Sequence, residues 1–144
     1  MGLALVCDVR RSESSNGFYA RVRKLDLRPD AAALGIRYET IRGRGAYSTE
    51  WMHGTCYLDG CEVFNVGSYA MFRPTALLQL AEGAHEIEVF GARRRSNVTP
   101  PLVVSRTISI AVGTRAVAHV VPGRRYGFRN EKTHPGHVDI EHLG

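Results

Sequence analysis

Short runs of alternating hydrophobic and polar residues, separated by glycine and proline, make up most of this chain. This pattern predicts roughly nine β-strands with turns between them, which is typical of a β-sandwich. We therefore predict an all-β fold, a single antiparallel β-sandwich of immunoglobulin-like architecture. Residues 31–35 are expected to add one helical turn that ends at Gly35. The predicted strands are residues 3–9, 18–27, 36–42, the two runs that flank residues 59–60, and residues 76–80, 84–90, 102–110 and 115–121.

The clearest local signal is the pair Asp59-Gly60 between two strand-like runs. Aspartate followed by glycine is typical of a type I′ turn, in which both central residues need a positive φ. We therefore expect a tight hairpin here. Further turns are predicted at Glu82-Gly83 and at Gly113.

The chain is long enough for one domain with a substantial core, at 144 residues. We assign residues 1–123 to the sandwich and residues 124–144 to a basic, histidine-containing tail that is flexible or only partly docked. No apolar run reaches the roughly 18 residues of a transmembrane helix, and the N-terminus does not match a secretory signal. The expected location is the cytoplasm or an assembled particle, without membrane insertion.

Arginine accounts for most of the positive charge, and the chain has a formal net charge of +5. Arginine with aromatic residues is typical of surfaces that contact single-stranded nucleic acid, but it is also enriched at protein interfaces. Both kinds of partner therefore remain open for these clusters. The candidate partner- or nucleic-acid-binding residues are Arg93, Arg94 and Arg95 in one loop, and Arg124, Arg125, Tyr126, Phe128 and Arg129 after the last strand.

A second candidate site is built on the hairpin. Cys56 and Cys61 are predicted to lie diagonally on one face, and His53 and His85 are close enough in the pattern to join them. Zinc binds thiolate and imidazole groups in a tetrahedron. The alternatives are that the cysteines are small buried core residues, or a redox pair. The expected cofactor is none, with zinc as the alternative.

The middle of the chain resembles bacterial immunoglobulin-like and PEGA-type modules, over about residues 54–121. The resemblance implies a small β-sandwich that serves as a spacer or binding unit, often on cell-surface or envelope proteins. The matching segments are residues 57–60, 78–80, 83–89 and 107–110, followed by Gly113.

No catalytic motif is recognisable: there is no nucleophile elbow and no phosphate-binding loop. We therefore predict a non-catalytic binding or structural module, with no small-molecule substrate identified. It is expected to self-associate, or to join a larger assembly, through strand edges and loops rich in arginine and tyrosine. The alternatives are a nucleic-acid-binding protein that uses the two arginine clusters and a small zinc-binding protein that uses the cysteine hairpin.

Overall fold

Two β-sheets packed face to face form the body of the protein. The computed structural model describes residues 4–10, 13–39, 54–66, 74–91, 102–121, 124–126, 131–134 and 137–144. Within these ranges the chain forms one helix and eleven strands, which are β1 (Ala4–Arg10), α1 (Ser15–Lys24), β2 (Ala31–Tyr38), β3 (Gly54–Leu58), β4 (Cys61–Val66), β5 (Thr75–Ala81), β6 (Gly83–Gly91), β7 (Leu102–Ile110), β8 (Arg115–Val121), β9 (Arg124–Tyr126), β10 (Glu131–His134) and β11 (His137–Leu143).

One sheet has five strands in the order β1-β5-β2-β8-β11, and the other has four in the order β4-β3-β6-β7. All neighbours in these sheets are antiparallel except β2 and β8, which run parallel. Strands β9 and β10 pair separately as a short ribbon. The prediction of an all-β sandwich with about nine strands is confirmed. The immunoglobulin-like architecture stays a prediction, and the parallel pair is a departure from the purely antiparallel arrangement that we expected.

The main core lies between the two sheets. Every second residue of β2 faces it, and so do alternate residues of β5 and β8. The other sheet contributes aliphatic and aromatic side chains from all four of its strands. The large buried side chains of this core include Leu34, Tyr38, Phe64, Leu78 and Ile87.

A helix covers the outer face of the five-stranded sheet, where the sequence predicted a strand at residues 18–27. That prediction is wrong, and the reason is that Phe18 and Val22 fit either period. They are four residues apart, so they share one helix face as well as one strand face, and both are fully buried. Ser14 caps the helix, because its Oγ accepts a hydrogen bond from the Gly17 amide at 3.0 Å.

Strand β2 occupies residues for which a helical turn was predicted. The run Ala31–Gly35 has high helix propensity, but all eight residues of β2 are buried. Ala32 and Leu34 face the core between the sheets, and Ala33 faces the helix. Burial on both faces overrides the local propensity and also explains why the run shows no alternation. The predicted strand at residues 36–42 therefore begins too late; residues 40–42 lie outside the described part of the chain.

The hairpin is confirmed. Asp59 and Gly60 have φ values of 50° and 81°, as a type I′ turn requires. Leu58 pairs with Cys61, but a bulge shifts the register so that Cys56 pairs with Phe64. The predicted strands at residues 76–80, 84–90, 102–110 and 115–121 correspond to β5, β6, β7 and β8.

The C-terminal segment contributes a strand to the sandwich. β11 pairs with β8 from His137, opposite Val121, to Leu143, opposite Arg115. Val138 is buried in the core between the sheets. The sandwich therefore extends beyond residue 123 and includes residues 137–143, which form an edge of the five-stranded sheet.

Candidate functional site

Strand β7 forms one edge of the four-stranded sheet and is the candidate contact surface. It pairs with β6 along most of its length, and no described strand pairs with its other side. Its residues alternate, with Ser105, Thr107 and Ser109 exposed and Ile108 and Ile110 buried. Hydroxyl-bearing side chains thus line the face of this edge strand that points away from the core.

The edge strand β11 of the other sheet lies beside β7. Nη1 of Arg106 donates a hydrogen bond to the Val138 carbonyl oxygen, which joins the two edges. Between them and β8 lies a cleft of about 170 Å³, whose walls include Ile108, Ile110 and Ile140. Ligand pockets usually enclose ~300–1,000 Å³. This cleft is therefore sized for a single side chain rather than for a drug-sized substrate.

The other three sheet edges carry protection against strand addition. β1 carries the exposed ion pair of Asp8 and Arg10, at 3.6 Å. β11 carries exposed Asp139 and Glu141, and β4 is six residues long with exposed Glu62 and a bulge in its pairing with β3. Charges, short length and bulges are the usual devices that block pairing at an edge.

The pairing of edge strand β7 with β6 is irregular at Val103, but from Val104 to Ile110 the strand pairs without a bulge. It has nine residues, of which Arg106 is the only charged one. The guanidinium of Arg106 is bonded to β11, so it is directed away from the open side of the strand. A long edge of β-branched and small polar residues is suited to pairing with another strand.

A group of ionisable side chains lies where α1 meets β8 and β11. The Tyr19 hydroxyl donates to Glu141 Oε1 at 2.5 Å, and His119 Nε2 lies 2.9 Å from the same oxygen. His119 Nδ1 lies 3.4 Å from Glu39 Oε2. The two carboxylates therefore approach opposite sides of the imidazole ring, so this arrangement does not converge on one shared ion.

The electrostatics of this group indicate a structural clamp. Burial, and then the hydrogen bond to Glu141, raises the pKa of Tyr19 to about 12. Hydrogen bonds from Tyr19 and His119 lower the pKa of Glu141. At neutral pH the tyrosine is therefore a hydrogen-bond donor and the glutamate an acceptor. The group ties the helix to the C-terminal strand.

A second network ties the helix to β1 and β5. Arg21 makes a two-point contact with the Glu13 carboxylate, at 2.7 and 2.8 Å, and reaches Asp8 at 2.6 Å. The Thr75 hydroxyl donates to Glu13 at 2.8 Å. Burial alone would raise the pKa of Glu13, but the hydrogen bonds from Arg21 and Thr75 and the Arg21 charge outweigh it, so that pKa is lowered.

The structure does not bring the predicted zinc ligands together. Cys56 is fully buried in the core between the sheets, whereas Cys61 is exposed at the start of β4. Nδ1 of His85 lies 2.7 Å from Asp59 Oδ2, and its Nε2 lies 2.7 Å from the Ala81 carbonyl oxygen. His53 lies outside the described residues. Within the described ranges, no group of three or more histidine, cysteine, aspartate or glutamate residues has the geometry of a metal site.

The arginine clusters are only partly within the described chain. Arg124, Arg125 and Tyr126 form β9, whose backbone pairs with β10. Arg93, Arg94, Arg95, Phe128 and Arg129 lie outside the described residues. The role of the two clusters in binding a partner or nucleic acid thus stays a prediction.

Sequence reasoning did not find the clamp or the unprotected edge. Tyr19 is 100 residues from His119 and 122 residues from Glu141, so no local motif links them. β7 was predicted as a strand, but its place at the end of a sheet follows only from the strand order. The one signal in the sequence was the low charge of this nine-residue run.

Comparison with known proteins gives no match to this chain, whether among family models, curated proteins or solved structures. The resemblance to immunoglobulin-like and PEGA-type modules therefore stays a prediction. The one described helix is too short and too polar to span a membrane.

Proposed function

We propose that this protein is a non-catalytic structural or binding module that assembles through strand edges, with β7 as its contact edge and a second copy as its partner. The observation that carries this proposal is the contrast among the four sheet edges. β7 is the longest of them, and its single charge is bonded to β11. Among the described strands none pairs with the outer side of β7, and the backbone groups of such an edge are a template for another strand.

Two further features of the described residues fit a binding module. The cleft beside β7 has room for a side chain of a partner and is smaller than a usual substrate pocket. The tyrosine, histidine and glutamate side chains that could serve in acid–base chemistry are bonded to one another between α1, β8 and β11. The nucleic-acid alternative stays a prediction, because Arg93–Arg95 lie outside the described residues. The zinc alternative has no support from the two cysteines, since Cys56 is buried and Cys61 is exposed.

Light scattering across a concentration series tests the proposal. The wild-type chain of 15.9 kDa should rise toward twice that mass with concentration. Thr107→Lys places a charge on the β7 edge and should hold the chain at the monomer mass. Asn65→Lys adds the same charge to an exposed position of β4, the opposite edge of the same sheet, and should behave as wild type.

The outcomes separate the alternatives. A wild-type chain that stays monomeric at every concentration would overturn self-association. An oligomer that persists in Thr107→Lys would place the contact elsewhere. A raised 260/280 nm absorbance ratio that salt abolishes would favour nucleic acid as the partner instead, because phosphate contacts weaken steeply with salt.

A further inference from the structure

We infer that two copies pair through β7 in antiparallel fashion around a twofold axis at Thr107, which joins their four-stranded sheets into one eight-stranded sheet. This inference rests on the proposed function and specifies its register. It follows from the order of side chains along residues 104–110, which reads Val-Ser-Arg-Thr-Ile-Ser-Ile.

The faces of the two sheets limit the register. The buried isoleucines of β7 face the core, and a continuous sheet must keep them on that side in both copies. Because side chains alternate with a period of two, a one-residue slip would reverse the faces. The twofold axis must therefore lie at a residue, and the candidates near the middle of the strand are Arg106, Thr107 and Ile108.

The axis at Arg106 is disfavoured for two reasons. That register would extend over all nine residues of β7 only by running through the irregularity at Val103, and it would set Arg106 opposite its own copy. Like charges opposite each other are destabilising. An axis at Ile108 avoids the repulsion but pairs only residues 106–110, so it loses four of the nine pairs.

An axis at Thr107 keeps Arg106 away from its own copy and still pairs most of the strand. It pairs the seven residues 104–110, and it sets Arg106 opposite Ile108 of the partner. On the exposed face, Ser105 then lies opposite Ser109 of the partner, and Thr107 lies opposite Thr107 of the partner. Pairs of hydroxyl side chains across antiparallel strands contribute ~0.2–1 kcal/mol each. The exposed face of β7 is thus symmetric about this residue, as a twofold contact requires.

The contact is expected to be reversible. Seven paired residues span only ~23 Å of strand. Edge pairing of this length covers less area than a permanent dimer interface usually does. Covalent trapping is therefore the more sensitive test, since it captures a dimer that forms only part of the time.

Disulfide trapping reads the register directly. All variants carry Cys61→Ser, because Cys61 is exposed, and this parent without further change is the control. Under mild oxidation, Thr107→Cys should give a covalent dimer. Directly opposed residues in an antiparallel pair are ~4.5–5.5 Å apart at Cα, within the range of a disulfide.

Ser105→Cys alone should stay largely monomeric. In the proposed register its copy is four residues further along the partner strand, ~13 Å away. The double variant Ser105→Cys/Ser109→Cys should cross-link again, because those two positions face each other. This recovery distinguishes a fixed register from random collisions.

Light scattering tests self-association, and cross-linking tests the register. If the wild-type chain is monomeric in light scattering at every concentration, the proposed function itself fails. If it is oligomeric but Thr107→Cys does not cross-link above the control, only the β7 register is overturned. Cross-linking of Ser105→Cys as fast as Thr107→Cys would also overturn the register.

Discussion

Gly35→Ala tests the packing of the helix against β2. A Cβ at this position would lie 2.6 Å from Phe18 Cζ and 2.8 Å from Val22 Cγ2. Ordinary contact begins at 3.4 Å, so the aromatic carbon would be about 0.8 Å too close. Both neighbours are fully buried, and they cannot move away without disturbing the apolar cluster between the helix and the five-stranded sheet, which includes Ala33, Leu77 and Val117.

Gly35→Ala has two opposite effects on the free energy of unfolding, so the sign of the measured change shows which one is larger. Glycine inside a strand is less favourable than alanine by ~0.5–1 kcal/mol, so alanine would stabilise the strand if there were space for it. An overpacked core costs ~1–3 kcal/mol. We therefore expect Gly35→Ala to lower the free energy of unfolding by about 1–2 kcal/mol.

Urea denaturation followed by circular dichroism measures this change, and a double-mutant cycle assigns it. Phe18→Leu removes the ring atoms that a new Cβ at Gly35 would meet. The double variant should therefore be more stable than the sum of the two single effects predicts, by ~1 kcal/mol or more. A Gly35→Ala protein that is more stable than wild type, or a cycle with no coupling, would refute the close approach of the helix.

Two further predictions concern the ionisable networks. Glu13→Gln should lower the free energy of unfolding by ~1.5–3 kcal/mol at pH 7. The pKa of Glu13 is lowered in the folded state, so its carboxylate stabilises the fold above about pH 4.5. This stabilisation should be lost as the pH falls through the folded-state pKa. Urea titrations from pH 7 to pH 3 check this, with Glu82→Gln at an exposed position as the control variant. Tyr19→Phe should lower the free energy of unfolding by ~0.5–1.5 kcal/mol, because the hydrogen bond to Glu141 is lost. The pKa of Tyr19 is raised to about 12, so this hydrogen bond stabilises the fold fully below about pH 10 and is lost as the pH rises through 12. An ultraviolet titration of tyrosinate should lose a late step in Tyr19→Phe but keep it in Tyr57→Phe, and an unchanged titration in Tyr19→Phe would contradict the clamp.

The parts of the fold that depend on local chemistry could be predicted from the sequence. The turn at Asp59-Gly60 is one example, because few residue pairs adopt two successive positive φ values. Strand β6 is another, since its buried His85, Ile87 and Val89 alternate with Glu86 and Glu88. One buried face and one exposed face leave a clear period of two.

The parts that depend on tertiary contacts could not be predicted. Helix α1 packs against strand β2, and this contact makes the hydrophobic pattern of each segment ambiguous in the sequence. β2 has no polar face because the helix covers one side, so its alanine run reads as helical. α1 buries Phe18 and Val22, whose spacing also fits a strand. The bulge in the pairing of β3 with β4 and the different exposure of Cys56 and Cys61 likewise have no signature in the hairpin sequence.

The residues and lengths of the four sheet edges also determine how many copies the proposed assembly contains. A twofold contact uses the β7 edge of both copies, so the free edges of the joined sheet are the two β4 strands. β4 is short, carries Glu62 and is bulged in its pairing with β3, which disfavours addition of a further strand. The edges of the five-stranded sheets, β1 and β11, carry exposed charges. In the proposed arrangement, pairing at β7 would therefore close at two copies instead of continuing into a filament.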